Sequence, residues 1–372
     1  ITGSGKTEVY AHLFDELLQK NRQVLFLLPE IALTTQLIKR MQTYFGDKVA
    51  TYHSGMSQNE RVEVWRRVAA GTSTAQLILG TRSAVFLPWK SLGLVVVDEE
   101  HESAYRQTEP APRYQGRDAA IYAAHLYGCG VVLGSATPSL TSMAHAQSGK
   151  YGYVRLDVRH LGTPLPQVLL IDLKEQQLKK QMKGHFSSVL IDGIAECLAQ
   201  GKQVILFQNR RGFSPSVQCT SCGHSPQCPS CDVSLTYHKQ GNILKCHYCG
   251  YHTQPLGSCK ACGSDRLEMH GFGTQKIEDE IEKLFPKAKV GRMDLDATRS
   301  KNAYANLIQQ FENREIDILI GTQMLSKGLD FDNVFLVGVL DADFMLNLPD
   351  FRAYERAFQM LTQVSGRAGR KQ

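Results

Sequence analysis

The sequence lacks any apolar run long enough for a membrane span. Its longest, near Val24–Leu28 and Val334–Leu340, are strand-sized and broken by Pro or Gly, against the roughly 20 residues a bilayer requires. A soluble protein without membrane contact is expected. Charge of one sign is also scarce: 42 Lys and Arg against 36 Asp and Glu leave +6, an excess that suits a polyanionic partner but equally suits enzymes without one. No repeat of fixed period and no low-complexity tract is found, so neither a repeat array nor a biased linker organises the chain. No charged-then-apolar leader opens it, because residue 1 already lies inside a phosphate-loop pattern. Cysteine is sparse except in one stretch, where eight of the ten fall in CxxC pairs at 219/222, 228/231, 246/249 and 259/262, leaving Cys129 and Cys197 alone. A disulfide framework would be scattered differently. Paired thiols in an otherwise cysteine-poor chain read as metal ligands in a reducing compartment, so a cytoplasmic location is expected.

A chain of 372 residues exceeds one ordinary core, which predicts two lobes and a small extra module. From Val24 to Thr137, β-rich runs (VLFLLP, AQLILGT, LGLVVVDE, VVLGSAT) alternate with amphipathic stretches (QLIKRMQTYF, RDAAIYAAHLYG). A second set follows, with QVLLIDL, QVILFQNR, DILIGT and VFLVGVLDAD as strands and SVLIDGIAECLAQG, IEDEIEKLF and NLIQQFENRE as helices. This rhythm predicts an α/β protein with two parallel-sheet lobes. The divisions are 1–148 for lobe one, 149–216 for the junction and start of lobe two, 217–266 for a cysteine-rich module, and 267–372 for the rest of lobe two. The module's Cys, Gly, Pro and His content is not expected to build a helix or sheet core.

Thr2-Gly3-Ser4-Gly5-Lys6-Thr7 matches the end of a phosphate loop, in which backbone N–H groups and a helix N-terminus surround the phosphates of ATP. Lys6 is expected to reach the β/γ-phosphates and Thr7 to ligate Mg²⁺. The strand that normally feeds such a loop is not in the sequence, and a gap in the sheet centre with poor folding and activity is expected. LVVVDEEH, Leu94 to His101, places carboxylates directly after an apolar strand, where open α/β sheets hold their ligands. Asp98 is expected to hold Mg²⁺ and Glu99 to polarise the attacking water, with Glu100 read as a bystander. Near the end, Gln363, Arg367 and Arg370 of QVSGRAGR resemble the QxxGRxGR motif of superfamily 2 helicases. Its arginines would neutralise charge at the γ-phosphate from the opposite lobe, coupling hydrolysis to relative motion.

Between these lie LPEIALTTQ, GTRSAVFLP, GSATPS and GTQMLSKGLDF, which resemble helicase motifs Ia, Ib, III and V. Their hydroxyls and N–H groups suit phosphodiester contacts that position a strand without reading its sequence. Thr81, Arg82, Thr322, Ser326 and Lys327 are the candidates. After DEEH, a Pro-containing loop interleaves aromatics with arginines, and Tyr105, Arg106, Arg113 and Tyr114 are candidates for stacking single-stranded bases.

The cysteines Cys219, Cys222, Cys228, Cys231, Cys246, Cys249, Cys259 and Cys262 supply enough thiolates for two tetrahedral structural Zn²⁺ sites, with metal binding providing most of the module's folding free energy. Spacing does not choose among the three ways of pairing the four turns. His224, His238, His247 and His252 lie nearby but are not expected to be ligands.

TGSGKTEVY, DEEH, GSATPS, QNRRGFSP, the four CxxC pairs inside lobe two, GTQMLSKGLDF and LNLPDFRAYERAFQMLTQVSGRAGR together resemble the helicase core of the bacterial PriA replication-restart family. The resemblance implies two RecA-like lobes with a two-zinc module inserted in the second. It implies 3′-to-5′ unwinding of branched DNA at stalled forks, with primosome proteins and single-stranded DNA-binding protein as partners and a nucleoid-associated location. It also implies nested zinc pairing, the first and fourth CxxC on one ion and the second and third on the other. Gln275 and Leu329 depart from the family pattern, where an acidic residue and a His are expected, and the family's amino-terminal DNA-binding region is not in this sequence. Two rival readings stay open: a related RNA or DNA translocase that does not unwind, and a zinc-dependent assembly platform with a vestigial ATP site.

Overall fold

The computed structural model describes the chain except residues 30–34, 160–161, 209–215, 232, 239–241, 247, 256, 271–273, 295–302, 323–324, 326–330 and 370–372. It divides into two compact units, one comprising Ile1–Pro164 and the other Leu165–Ser326 with Asp330–Gln372.

The first unit runs α1 (Lys6–Gln19), β1 (Gln23–Leu27), α2 (Thr35–Phe45), β2 (Val49–Tyr52), α3 (Gln58–Ala70), β3 (Leu77–Gly80), β4 (Leu92–Asp98), α4 (Gly116–Leu126), β5 (Gly130–Gly134) and α5 (Leu140–Gln147). The strands form one sheet in the order β2-β3-β1-β4-β5, with every pairing parallel. Successive strand side chains face opposite sides. Val24 and Phe26 therefore pack with Tyr10, Phe14 and Leu18 of α1 and Met41 of α2, while Leu25 and Leu27 pack with Val64 and Val68 of α3 and Ala120 and Ala124 of α4. A sheet covered on both faces needs strands that are apolar throughout, which is why VLFL and LVVV are unbroken runs. Helix α3, which the β-rich and amphipathic runs did not suggest, is held by a capping box between Ser57 and Glu60 and ends at Gly71 in the left-handed region (φ 69°).

The expected gap in the sheet centre is not found. β1 is hydrogen-bonded to β3 on one side and β4 on the other, and β4 to β5, so the described sheet is continuous. β5 is an edge, with Gly130 and Val131 exposed.

The second unit begins with α6 (Leu173–Leu178), the hairpin β6 (Met182–Lys183) and β7 (Phe186–Ser187), α7 (Ser188–Ala199) and β8 (Gln203–Gln208). A cysteine-rich stretch follows with β9 (Ser216–Cys219), β10 (Thr236–His238), β11 (Ile243–Lys245), β12 (His252–Thr253) and β13 (Leu267–His270). The chain then resumes with α8 (Thr274–Leu284), β14 (Val290–Met293), α9 (Ala303–Glu312), β15 (Ile318–Gly321), β16 (Val334–Leu340), α10 (Ala342–Leu346) and α11 (Ala353–Ser365). Strands β14-β15-β8-β16 make a second parallel sheet. Val204, Leu206, Ile318 and Ile320 pack against Ile194 of α7 and Ile277 and Ile281 of α8.

Two expectations are corrected here. QVLLIDL forms no strand: no described strand pairs with it, and Val168, Leu169 and Leu170 are exposed. The cysteine-rich module does build a sheet, antiparallel in the order β12-β11-β10-β9-β13. Its strands are only two to four residues long, and its small core mixes Val233, Leu235 and Leu244 with the thiols of Cys228 and Cys246. Sheet and thiol cluster therefore share one interior.

Candidate functional site

The phosphate-loop pattern sits at the start of α1. Gly5 is its N-cap at φ 83° and Gly3 lies at φ 74°, backbone that residues with a Cβ rarely adopt. The Oγ of Ser4 is buried with no hydrogen-bond partner among the described residues. An unsatisfied buried hydroxyl costs about 1–3 kcal/mol, so its placement in a loop opening on a helix N-terminus fits a site for phosphate oxygens.

Strand β4 brings DEEH beside this loop. Lys6 Nζ lies 3.3 Å from Glu99 Oε1, and Tyr10 Oη donates to Asp98 Oδ1 at 3.1 Å. Burial and the neighbouring Glu99 raise the Asp98 carboxyl to about 6, with Lys6 and the Tyr10 hydroxyl opposing them. Burial, reinforced by Asp98, pushes the Tyr10 phenol well above its ordinary value, keeping it a proton donor. A carboxylate so crowded with negative charge suits a divalent cation, which would reverse the shift. Glu99 itself has φ 48°. Left-handed backbone at a non-glycine residue costs of order 1–3 kcal/mol and gathers at functional positions. The residues present therefore fit a nucleotide with a divalent metal: Lys6, Thr7 and the loop amides for phosphates, Thr7 and Asp98 for the cation.

His101 ties DEEH to the end of β5. Its Nδ1 is 2.8 Å from Ser135 Oγ, its Nε2 is 3.5 Å from Thr137 Oγ1, and Nδ1 is 3.7 Å from Glu99 Oε2. GSATPS is thereby wired to the carboxylates through side chains.

Glu100, expected to be a bystander to the phosphate chemistry, has a structural place of its own. Its carboxylate, 2% exposed, accepts from the Ser139 N–H at 2.7 Å, Ser139 Oγ at 3.1 Å, Ser142 Oγ at 2.9 Å and Arg117 Nη1 at 2.9 Å. It joins the strand end, the N-terminus of α5 and the first turn of α4. A third acidic residue in a row gives no hint of this, because all its partners lie 17 or more residues downstream.

The nucleic-acid candidates separate. Tyr105 is fully buried and packed in the β4 core, its hydroxyl donating to the carbonyls of Leu27 at 3.0 Å and Asp98 at 2.6 Å. It cannot stack a base and is withdrawn as a contact. The interleaving of aromatics with arginines does not distinguish Tyr105 from Tyr114, but the chain sends Tyr105 inward. Arg106 and Arg113 are exposed and Tyr114 is half-buried. Thr81 is buried, and Arg82 Nη1 donates to the Ala104 carbonyl at 3.1 Å. Phe86, which was not among the sequence candidates, is 62% exposed and meets Tyr114 edge-on, with centroids 5.0 Å apart. The signal was present, since GTRSAVF ends on a large apolar ring, which closes the short 3-10 helix Arg82–Phe86.

In the second unit Thr322 and Gln363 are buried, Arg367 is partly exposed just after α11, and Gln275 is exposed in α8. Arg370, Ser326, Lys327, Leu329 and His247 lie outside the described residues, as do 30–34 of LPEIALTTQ and most of QNRRGFSP and GTQMLSKGLDF.

The eight paired cysteines gather into two clusters, Cys219, Cys222, Cys259 and Cys262 in one and Cys228, Cys231, Cys246 and Cys249 in the other, with the ligand atoms of each within 4.8 Å of one another. This is the nested pairing. Sγ separations of 3.6 Å for Cys219–Cys262, Cys222–Cys259 and Cys228–Cys249 are far from the roughly 2.05 Å of a disulfide. They are close to the edge of about 3.8 Å that a tetrahedron with Zn–S of about 2.3 Å would have. Each pair sits on a similar turn, with the first cysteine's N–H bonded to the carbonyl five residues on: Cys219 to His224, Cys228 to Val233, Cys246 to Tyr251 and Cys259 to Ser264. Although burial opposes it, the N–H groups of Cys222 and Ser221 draw the Cys219 thiol down to about 6. Those of Cys249 and Tyr248 likewise draw Cys246 down to about 7. In the same clusters Cys222, against the pull of the His224 N–H, and Cys231, through its thiol neighbours and burial, are raised to about 12, so it is the convergence of four thiols, not their acidity, that fits a structural zinc ion. No histidine enters either cluster among the described residues.

With this geometry in view, the chain matches the family model for the DEAD/DEAH box helicase over residues 1–145, that for the PriA DNA helicase Cys-rich region domain over 228–254, and that for the helicase conserved C-terminal domain over 270–372. It is 47% identical over 370 residues to the replication restart protein PriA of Bacillus subtilis, covering 100% of this chain and 46% of that protein. It is 46% identical to that of Synechocystis, covering 100% of this chain and 45% of the relative, and 43% identical to that of Chlamydia pneumoniae, covering 100% and 49%. The chain thus spans about half the length of these curated relatives. Among solved structures, RecG bound to a three-way DNA junction aligns with TM-score 0.52 and 17% identity over 99% of this chain and 37% of RecG. The helicase MrfA bound to DNA aligns with TM-score 0.56 and 15% identity over 99% of this chain and 44% of MrfA. These two share the fold. No described helix is long and apolar enough to cross a membrane.

Proposed function

The chain belongs to the PriA family of replication restart proteins, and from that premise we propose that it is the motor core of an ATP-dependent DNA helicase with 3′-to-5′ polarity, acting in the cytoplasm at stalled forks. The observation that carries the proposal is the convergence of Lys6, Asp98, Glu99 and His101 at the end of β4, with His101 reaching Ser135 of GSATPS.

In this reading Lys6 and the loop amides hold the β/γ-phosphates, Thr7 and Asp98 hold Mg²⁺, and Glu99 orients the attacking water. The bound Mg²⁺ supplies Lewis-acid stabilisation of the phosphate oxygens. Lys6 must exchange Glu99 for phosphate, which frees the Glu99 carboxylate for its water. Gln363, Arg367 and Arg370 are assigned to sensing and neutralising the γ-phosphate. The link from His101 to Ser135 and Thr137 gives hydrolysis a physical route to GSATPS. Exposed Phe86, Arg106 and Arg113 with half-buried Tyr114 offer aromatic and cationic groups suited to a single strand. Two Zn²⁺ hold the cysteine module, with no open coordination position for chemistry. Primosome proteins and single-stranded DNA-binding protein are proposed as partners from family membership.

The test is strand displacement on duplexes with 3′ or 5′ single-stranded tails, with Lys6→Ala as control and DNA and RNA compared as stimulators of hydrolysis. ATP-dependent displacement, lost in Lys6→Ala and confined to one tail polarity, is expected. Displacement that survives Lys6→Ala would leave the assembly-platform reading in its place. Equal stimulation by RNA, with no displacement, would favour a translocase that does not unwind.

A further inference from the structure

Helix α1 carries both the phosphate-loop residues and Tyr10, and the spacing is informative. Lys6 and Tyr10 are four residues apart on one helix, so they project from the same face, one turn above the other. Both reach the end of β4: Lys6 to Glu99 Oε1 at 3.3 Å and Tyr10 to Asp98 Oδ1 at 3.1 Å. Thr7 lies between them in sequence, on the same helix.

The Tyr10 ring is fixed apart from its hydroxyl. It is 3% exposed and meets Phe26 of β1 edge-on, with centroids 5.6 Å apart. The space for the hydroxyl is provided by a third strand: a Cβ on Gly134, the first residue of GSATPS, would lie 1.7 Å from Tyr10 Oη and 3.3 Å from Asp98 Oδ1. Gly134 is not at positive φ, so its lack of a side chain is explained by this close approach and not by backbone strain.

We propose that Tyr10 is a positioning residue that occupies one oxygen of Asp98 and turns the other toward the divalent cation, with Gly134 providing the clearance. A carboxylate at a strand end can rotate about its last bond, which changes the oxygen it would present to a cation. Donation from a buried phenol fixes that rotation and sets the distance between α1 and β4, so the two cation ligands are kept in register. The inference rests on reading this site as one for a nucleotide with a divalent metal.

The test uses the full chain and a fluorescent non-hydrolysable ATP analogue, titrated first in EDTA and then at fixed nucleotide with increasing Mg²⁺. Tyr10→Phe keeps the ring against Phe26 and removes only the donor. It is expected to leave metal-free affinity unchanged while raising half-saturating Mg²⁺ by roughly ten-fold, the size of a lost hydrogen bond to a charged group. Gly134→Ala, which displaces the hydroxyl from the other side, is expected to give a shift in the same direction. Circular dichroism and thermal unfolding establish that both variants fold. If a folded Tyr10→Phe protein shows half-saturating Mg²⁺ within two-fold of the wild type, or loses EDTA and Mg²⁺ affinity equally, the positioning role is overturned. A wild-type chain that binds no analogue in either condition overturns the nucleotide reading itself, which is a different outcome from an unaltered Tyr10→Phe.

Discussion

Replacing Glu100 by Ala is expected to destabilise the first unit severely, because it removes the acceptor shared by three segments. The substitution removes one of two carboxylates paired with the Arg117 guanidinium, 14% exposed, leaving it Asp118 Oδ1 at 2.9 Å and Ser139 Oγ at 3.2 Å, and strips acceptors from the Ser139 N–H and the Ser139 and Ser142 hydroxyls. Breaking a buried ion pair from one side costs about 3–5 kcal/mol when a bare charge is left behind; because Asp118 still pairs with Arg117, the lower figure of about 3 kcal/mol is expected. For a unit of this size each kcal/mol moves the midpoint by about 2–4 °C, so a fall of roughly 6–12 °C is expected. Unfolding in urea followed by tryptophan fluorescence reads this unit selectively, because the chain has two tryptophans, Trp65 and Trp89, and both lie in Ile1–Pro164. Trp89 is buried in the same cluster as Ala120 and Ala124 of α4, the helix that carries Arg117. Arg117→Met alone should cost less, since the serines still satisfy the carboxylate. The double substitution should fall short of the sum by about 1–3 kcal/mol. Additivity within about 0.5 kcal/mol, or a Glu100→Ala loss below about 1 kcal/mol, would refute the view that this carboxylate holds the strand end, α4 and α5 together.

Zinc analysis of the purified chain should find two equivalents, falling to one in Cys249→Ser and unchanged in Cys129→Ser; chelation should unfold the module while leaving the tryptophan signal intact, and a count of two in Cys249→Ser would reject the clusters as metal sites. Tyr105→Phe removes the donor to the carbonyls of Leu27 and Asp98 and should cost about 0.5–1.5 kcal/mol by the same urea assay, with single-strand affinity unchanged; weakened binding at full stability would return Tyr105 to the contact surface. Phe86→Ala should weaken single-stranded DNA binding by about 1–3 kcal/mol with stability unaltered, and equal affinity in a fluorescence-anisotropy titration would remove Phe86 from the surface. Burial works against ionising Glu280, but hydrogen bonds from the His185 ring and backbone hold its carboxyl below the ordinary 4.5. A depressed folded value contributes stability above the unfolded value that is lost as pH falls through the folded one. Acid unfolding of Glu280→Gln should therefore be shallower below about pH 4.5, and superimposable acid limbs would argue against this pair.

Much of the fold could be read because buried parallel strands leave a loud trace. VLFL, LILG, LVVV and VILF are apolar at every position since both faces are covered, and the structure makes each a strand. β2 (VATY) and β14 (VGRM) are quieter, being edge strands with partly exposed positions, and the sequence pattern did not announce them. QVLLIDL shows the opposite failure: the pattern of a strand is present, but a strand also needs a neighbour, and none of the described strands pairs with it.

What the sequence determined by itself are those functions that depend on residues a few positions apart. A phosphate loop, a carboxylate at a strand end and a CxxC turn are each complete within one local stretch, so the residue types and their spacing already specify the chemistry. Tertiary structure decided everything that depends on which distant segments meet. Four equivalent turns can pair in three ways, and only the antiparallel sheet that carries Cys219 on β9 beside β13 selects one. Tyr105 and Tyr114 look alike in one loop, yet the path of the chain buries the first among carbonyls and leaves the second beside Phe86. Glu100 and Tyr10 lie inside the motifs DEEH and TGSGKTEVY, yet those motifs do not say what their side chains touch, because the partners that give them meaning are brought to them only when the strands assemble side by side.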